Sequence, residues 1–110
     1  MYHAHIYFDL TQQPIAEQIY QQIKLSRIDV TSIFPLVNRR VGPHDKPMFE
    51  VHFNDNQYGF IEWLDQHRAG LSVLIHPVTS NALADHTSGA YWLGEELAVH
   101  TEIFENCETD

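Results

Sequence analysis

Basic residues are scarce: 6 Lys and Arg stand against 15 Asp and Glu, a formal net charge of −9 over 110 residues. A surface of that sign repels polyanions, which excludes nucleic acid and acidic membrane surfaces as principal partners. Cysteine is rarer still. Cys107 alone can neither close an intrachain disulfide nor supply a thiolate cluster, so the compartment expected by default is the reducing cytoplasm. No apolar run reaches the roughly 18 residues that a spanning helix needs. The start, Met1-Tyr2-His3-Ala4, lacks the basic region and apolar core of a signal peptide, so no membrane segment is expected. Internal repeats, low-complexity tracts and linkers are missing too. A chain of this length is expected to be one domain, 1–110, with one hydrophobic core.

Histidine, by contrast, is abundant, with eight in the chain. Imidazole is the commonest metal ligand among side chains and carries a proton near neutral pH. Two of the eight sit in Tyr2-His3-Ala4-His5-Ile6-Tyr7-Phe8. The period of two in a strand puts His3, His5 and Tyr7 on one face, and Tyr2, Ala4, Ile6 and Phe8 on the other.

The rest of the chain reads as alternating elements. Thr11 is positioned to cap a helix that begins near Pro14, with Ile15, Ala16, Ile19, Tyr20 and Ile23 as its apolar stripe. Residues 28–37 read as a second strand, bent near Pro35. A turn-rich loop through Gly42-Pro43-His44 follows. Met48–Phe53 is a third strand, with Phe49, Val51 and Phe53 opposite Met48, Glu50 and His52. A second helix is expected from Asn54 or Asp55 to just before Gly70, burying Tyr58, Ile61 and Leu64 with Phe60 and Trp63. Leu71–His76 is a fourth strand that stops at Pro77, and a turn-rich tail leads to Tyr91-Trp92-Leu93-Gly94.

The order β-α-β-β-α-β is the ferredoxin-like arrangement, an α+β fold with antiparallel strand order 4-1-3-2, helices on one face and a C-terminal extension. With the first strand central, His3, His5, Glu50, His52 and His76 emerge together on the helix-free face. Neighbouring strands lie about 4.8 Å apart, and alternate residues on one strand about 6.8 Å, so side chains from three strands can reach one ion. Two imidazoles and one carboxylate form the facial set of non-haem Fe(II) oxygenases, and His5, His76 and Glu50 supply it. His44 is an alternative to Glu50 as ligand, or the acid/base beside it. His3 and His52 are either partners of the ligands or exposed, whereas His67 and His100 read as helix-end and surface residues.

Five blocks carry a resemblance. They are Tyr2-His3-Ala4-His5-Ile6-Tyr7-Phe8-Asp9, Gly42-Pro43-His44 leading to Met48-Phe49-Glu50-Val51, Leu74-Ile75-His76-Pro77, Asp85-His86-Thr87 and Trp92-Leu93-Gly94. In this order, from residue 2 to about residue 100, the chain resembles the DOPA 4,5-dioxygenase family. That family's ferredoxin-like architecture agrees with the topology above. The chain departs from the family pattern at Asp45, where proline is common, and at Ser80-Asn81, where a Thr-Gly turn is usual.

The resemblance implies an extradiol enzyme that opens the ring of a catechol such as DOPA with dioxygen on ferrous iron, with zinc or another divalent ion able to substitute. The family's motif histidines fall on His3, His5, His44, His76 and His86. On this reading His5, Glu50 and His76 bind metal, with His44 as the alternative third ligand, and His44 or His86 moves protons. His3, Tyr7, Trp92 and Arg39 or Arg40 line the substrate pocket, the arginine pairing with a substrate carboxylate. Two other readings stand beside it: a ferredoxin-like module that binds a metal or aromatic ligand without turnover, and a cofactor-free acid/base enzyme. A half-exposed sheet face bearing Leu74 and Met48 predicts a homodimer.

Overall fold

The computed structural model describes residues 1–39, 44 and 46–100. The alternation at the N-terminus produces strand β1 (Tyr2–Tyr7). Helix α1 (Gln13–Ser26) follows a single 3-10 turn over Leu10–Gln12, with Pro14 in its first turn. The turn opens at Asp9 rather than at the expected Thr11, and the Asp9 N–H donates to Gln12 Oε1 at 2.9 Å.

Strand β2 is shorter than expected, Val30–Ile33. Pro35 lacks an N–H, so regular pairing lapses between Phe34, whose N–H donates to Glu50 O, and Val37, which forms an isolated bridge with Met48. Strand β3 is Met48–Phe53, as predicted. Helix α2 (Phe60–His67) starts several residues later than Asn54 or Asp55. Asp55 Oδ1 accepts from the Gln57 N–H, and Asn56 Oδ1 accepts from the Ile61 N–H while its amide donates to Glu62. These local side-chain bonds hold a turn in place of a helix until Gly59, at φ 73°, redirects the chain. Tyr58, expected on the buried side, is consequently exposed. Strand β4 is Val73–Pro77, a short helix α3 is Ala82–Asp85, and β5 is Tyr91–Leu93.

The strands form one antiparallel sheet in the order β2-β3-β1-β4-β5. This is the expected 4-1-3-2 order, with β5 added beside β4. Ala4 and Ile6 of β1, Phe49, Val51 and Phe53 of β3, and Val73 and Ile75 of β4 share one core with Ala16, Ile19 and Ile23 of α1 and Phe60 and Leu64 of α2. Each large apolar side chain withdrawn there contributes roughly 1.5–3 kcal/mol, so this layer holds the sheet rigid behind the other face.

The helix-free face is not open. Tyr7, Met48 and Leu74 pack under Ala90, Trp92, Leu97 and Val99, leaving Leu74 0% and Met48 4% exposed. The C-terminal segment of the same chain supplies the cover that the sequence reading assigned to a second subunit, which removes the geometric argument for a homodimer. Gly94, at φ 77°, makes the return possible: a Cβ there would meet the Arg68 guanidinium at 2.6 Å. Among the described residues, no helix is long and apolar enough to cross a membrane. Arg40, Gly42, Pro43, Asp45 and Cys107 lie outside the described residues.

Candidate metal centre

Register gathers the site. On central β1, His3 lies opposite His52 of β3 and His76 of β4, and His5 lies opposite Glu50 and Leu74. Two further histidines arrive from outside the sheet. His44 is pinned by an isolated bridge to Val99. His86 ends α3, whose start is capped by Asn81 Oδ1 accepting from the Ala84 N–H. The same turn is clasped from Thr79, whose N–H and hydroxyl donate to the Asp85 carboxylate at 2.8 and 2.6 Å.

His5 is the hub. Its ring centroid is 4.2 Å from that of His44, 5.1 Å from His76 and 6.3 Å from His86, and His76 and His86 are 4.1 Å apart. His5 Nε2 lies 2.9 Å from His76 Nε2. Ligand atoms within 4.8 Å of one another occur in three groups among the described residues: His3, His5 and His76; His5, His44 and His86; and His3, Glu50 and His52. The predicted trio of His5, His76 and Glu50 is not among them. The structure puts His3 beside the first two, and Glu50 beside His52.

Neighbouring groups fix the ring tautomers. His76 Nδ1 faces Pro77 O at 2.8 Å, and His86 Nδ1 faces Ala82 O at 2.9 Å. Carbonyl oxygens only accept, so both Nδ1 atoms carry the proton and both Nε2 atoms present lone pairs. With His76 Nε2 an acceptor, the short bond to His5 requires the proton on His5 Nε2. That leaves His5 Nδ1 bare, and among the described residues it is the buried polar side-chain atom without a hydrogen-bond partner, although Glu50 Oε1 lies 3.5 Å away. A cation in place of the Nε2 proton would give that bare nitrogen a role. The proton would then sit on Nδ1, 3.5 Å from the Glu50 carboxylate, and the Nε2 atoms of His5 and His76 would be available to hold the ion. These residues fit a metal.

Electrostatics agree. Burial pushes the basicity of His5 well below the usual 6.5, reinforced by His44, His76, His86 and His3. Burial, with His86 and His76, lowers His44 to about 4. Burial likewise takes His76 to about 4, against the opposing pull of the Pro77 carbonyl and the nearby Asp85 carboxylate. Neutral imidazole is the form that binds metal. The Tyr7 hydroxyl lies 2.6 Å from His44 Nδ1, and burial raises the phenol far above its usual value. A phenol that keeps its proton donates, so His44 Nδ1 accepts and its Nε2 carries the hydrogen.

The other expected residues divide. Trp92 stacks on Tyr7, at a centroid distance of 5.7 Å, but Tyr7 itself is buried behind His44. Arg39 is exposed just beyond the Val37 bridge. His67 closes α2, with Nδ1 donating to Trp63 O and its ring on the Trp63 ring, as a helix-end residue does. His52 has a larger part than a strand histidine suggested: it stacks on His3 at 3.7 Å and bonds Glu50 at 2.5 Å. Alternation could place it on this face, but not turn its ring toward Glu50. A cavity of about 380 Å³ lies on the helix side, lined by Tyr2, Ile61, Glu62, Ile75 and Tyr91 among others, and no histidine reaches it. A smaller one, about 160 Å³, touches Tyr7, Lys46 and Ser72. The convergent nitrogens, rather than the larger cavity, mark the reactive region.

Comparison with known proteins agrees with the architecture. A Nostoc punctiforme PCC 73102 protein described as a candidate dioxygenase superposes with a TM-score of 0.88 at 30% identity, over 97% of this chain and 92% of that one. An uncharacterised 21.2 kDa protein of Botryotinia fuckeliana is 33% identical over 91% of this chain, which spans 61% of that relative's length. The family model described as the Dopa 4,5-dioxygenase family matches residues 2–103, and the chain belongs to that family.

Proposed function

We propose that the chain is a non-haem metal-dependent dioxygenase that opens the ring of a catechol such as DOPA by extradiol cleavage, with Fe(II) as the working ion. The observation that carries this reading is the buried His5 Nδ1 that the His5–His76 bond leaves without a partner, which an ion between the Nε2 atoms would relieve. His5 and His76 would hold the ion through Nε2, and His86, whose ring is 4.1 Å from that of His76 and which groups with His5 and His44, would complete the set with its Nδ1 fixed on Ala82 O. Bound there, ferrous iron supplies a centre with open positions at which a catecholate and dioxygen can meet.

The remaining residues serve that centre. His44, held at Nδ1 by the Tyr7 hydroxyl, presents Nε2–H and delivers a proton to the opening ring. Glu50 orients His5 from behind, as outer carboxylates commonly do for metal-bound imidazoles. That role replaces direct ligation for Glu50. Tyr7 positions His44, and Trp92 over it forms an aromatic wall. His3 and Arg39 stand as the outer substrate contacts. Met48 and Leu74 keep the floor dry.

The experiment is anaerobic loading with Fe(II), followed by air and a panel of catechols including DOPA. Oxygen uptake with a yellow ring-opened product is expected, and its absence across the panel rejects the reading. One observation favours a second reading. The inner donors are all imidazole, a set that can also close around zinc without an open position. A non-catalytic metal-binding module would then show tight 1:1 zinc and no turnover. Activity that survives exhaustive chelation would instead point to metal-free acid/base chemistry.

A further inference from the structure

Outside the imidazole set centred on His5 lies a second group with a different composition. His3, Glu50 and His52 bring ligand atoms within 4.8 Å of one another, and all three are half-buried. The group of His5, His44 and His86 has the same closeness and shares no residue with it. The outer group is held from both sides. His52 Nε2 bonds Glu50 Oε2 at 2.5 Å, and His3 Nδ1 is 3.9 Å from the same oxygen. The His3 and His52 rings lie face to face at 3.7 Å with 5° between their planes, and Phe34 closes over His52 at 4.9 Å.

From this we infer a second metal site: His3, Glu50 and His52 bind a divalent transition ion of the zinc class, separate from the ion held around His5. Two imidazoles and one carboxylate suit borderline ions such as ferrous iron, zinc, nickel and copper over hard ions, which prefer all-oxygen sets. The ion takes the place of the hydrogen between His52 Nε2 and Glu50 Oε2, which moves to the other ring nitrogen of His52. Glu50 then stands between two centres. One oxygen faces the outer ion while the other, 3.5 Å from His5 Nδ1, faces the inner ligand. His3 is also within reach of His5 and His76, and its stacking on His52 assigns it to the outer set. The site does not depend on the inner ion being iron or on catechol turnover.

The test is a Zn²⁺ titration of metal-free protein by calorimetry, with bound zinc counted after dialysis. The wild type is expected to take two equivalents, and His52→Leu one, with the affinity of that remaining equivalent within about threefold of the wild-type inner value. A single equivalent or none in the wild type, two in the variant, or loss of both in the variant would each overturn the inference. A measurement on unaltered protein guards against a folding defect in the variant. Two equivalents of Cu²⁺ should give a dipolar-broadened spin-resonance spectrum, and two uncoupled signals would count against paired sites. Two bound ions without oxygen uptake would leave this site standing while rejecting the dioxygenase reading.

Discussion

The two faces of the sheet are built from the same three strands, yet they are stable for different reasons. The helix side is filled by Ile6, Phe49, Val51, Phe53 and Val73 against α1 and α2, and its favourable term is burial, which is indifferent to pH. The histidine side buries His5, His44 and His76 beside Met48 and Leu74. There the same desolvation works against any proton that arrives. The contrast shows how a small domain can host a strained polar site: one face supplies the free energy that the other spends.

The largest effect that separates the faces should come from acid. His44 and His76 are depressed from 6.5 to about 4 in the folded chain, so the unfolded chain binds protons first as pH falls. Stability is full above about pH 6.5 and declines toward about pH 4, by several kcal/mol in total. Thermal melts of metal-free protein across that window check this, and a flat profile would break the comparison. Next comes Phe49→Ala, expected to cost roughly 3–5 kcal/mol by denaturant titration. It should displace the whole pH curve downward without moving its window.

His5→Ala should do the reverse. Inner metal affinity should fall by more than the ~100-fold that loss of an outer partner costs, while metal-free stability at pH 7 changes less than in Phe49→Ala, because removing the unpartnered Nδ1 offsets part of the cost of the lost His76 bond and the cavity. Calorimetry and melts on one sample read both quantities. Glu50→Gln should lower inner affinity by about 10- to 100-fold, since the amide orients His5 less strongly than a carboxylate. Tyr7→Phe is the mildest. A roughly tenfold fall in turnover with unchanged metal stoichiometry is expected, with a shifted pH–rate profile as the sign that His44 has lost its tautomer partner.

Much of this was readable from period and spacing. Strict alternation in Tyr2–Phe8 and Met48–Phe53 fixed which side chains share a face, because one step of slip would have buried His5 among the helices. The start of helix α2 differs from the expected Asn54 or Asp55 because such residues resemble caps, while the Asp55 and Asn56 side chains stabilise a turn. The cover over Leu74 is not legible in the sequence because it is carried by four scattered residues, Ala90, Trp92, Leu97 and Val99, with no regular period to announce them. Within the site, parity names the residues on a face but not the turn of each ring. Parity therefore makes Glu50 a metal ligand beside His5 and His76, and does not reveal its bond to His52. His86 was reached through the family resemblance, since nothing in the spacing of its turn points toward β1.

The bridge between His44 and Val99 bears on how the centre comes into being. Its imidazoles span residues 5 to 86, and the segment that anchors one of them follows all of them in the chain. A nascent chain displays His3 and His5 long before the strand carrying His76 or the tether at Val99 exists. Closing so wide a loop is slow compared with local hairpins. The centre therefore forms only after contacts between distant parts of the chain, and capture of the inner ion becomes a marker that β1, β4 and the Val99 segment have come together.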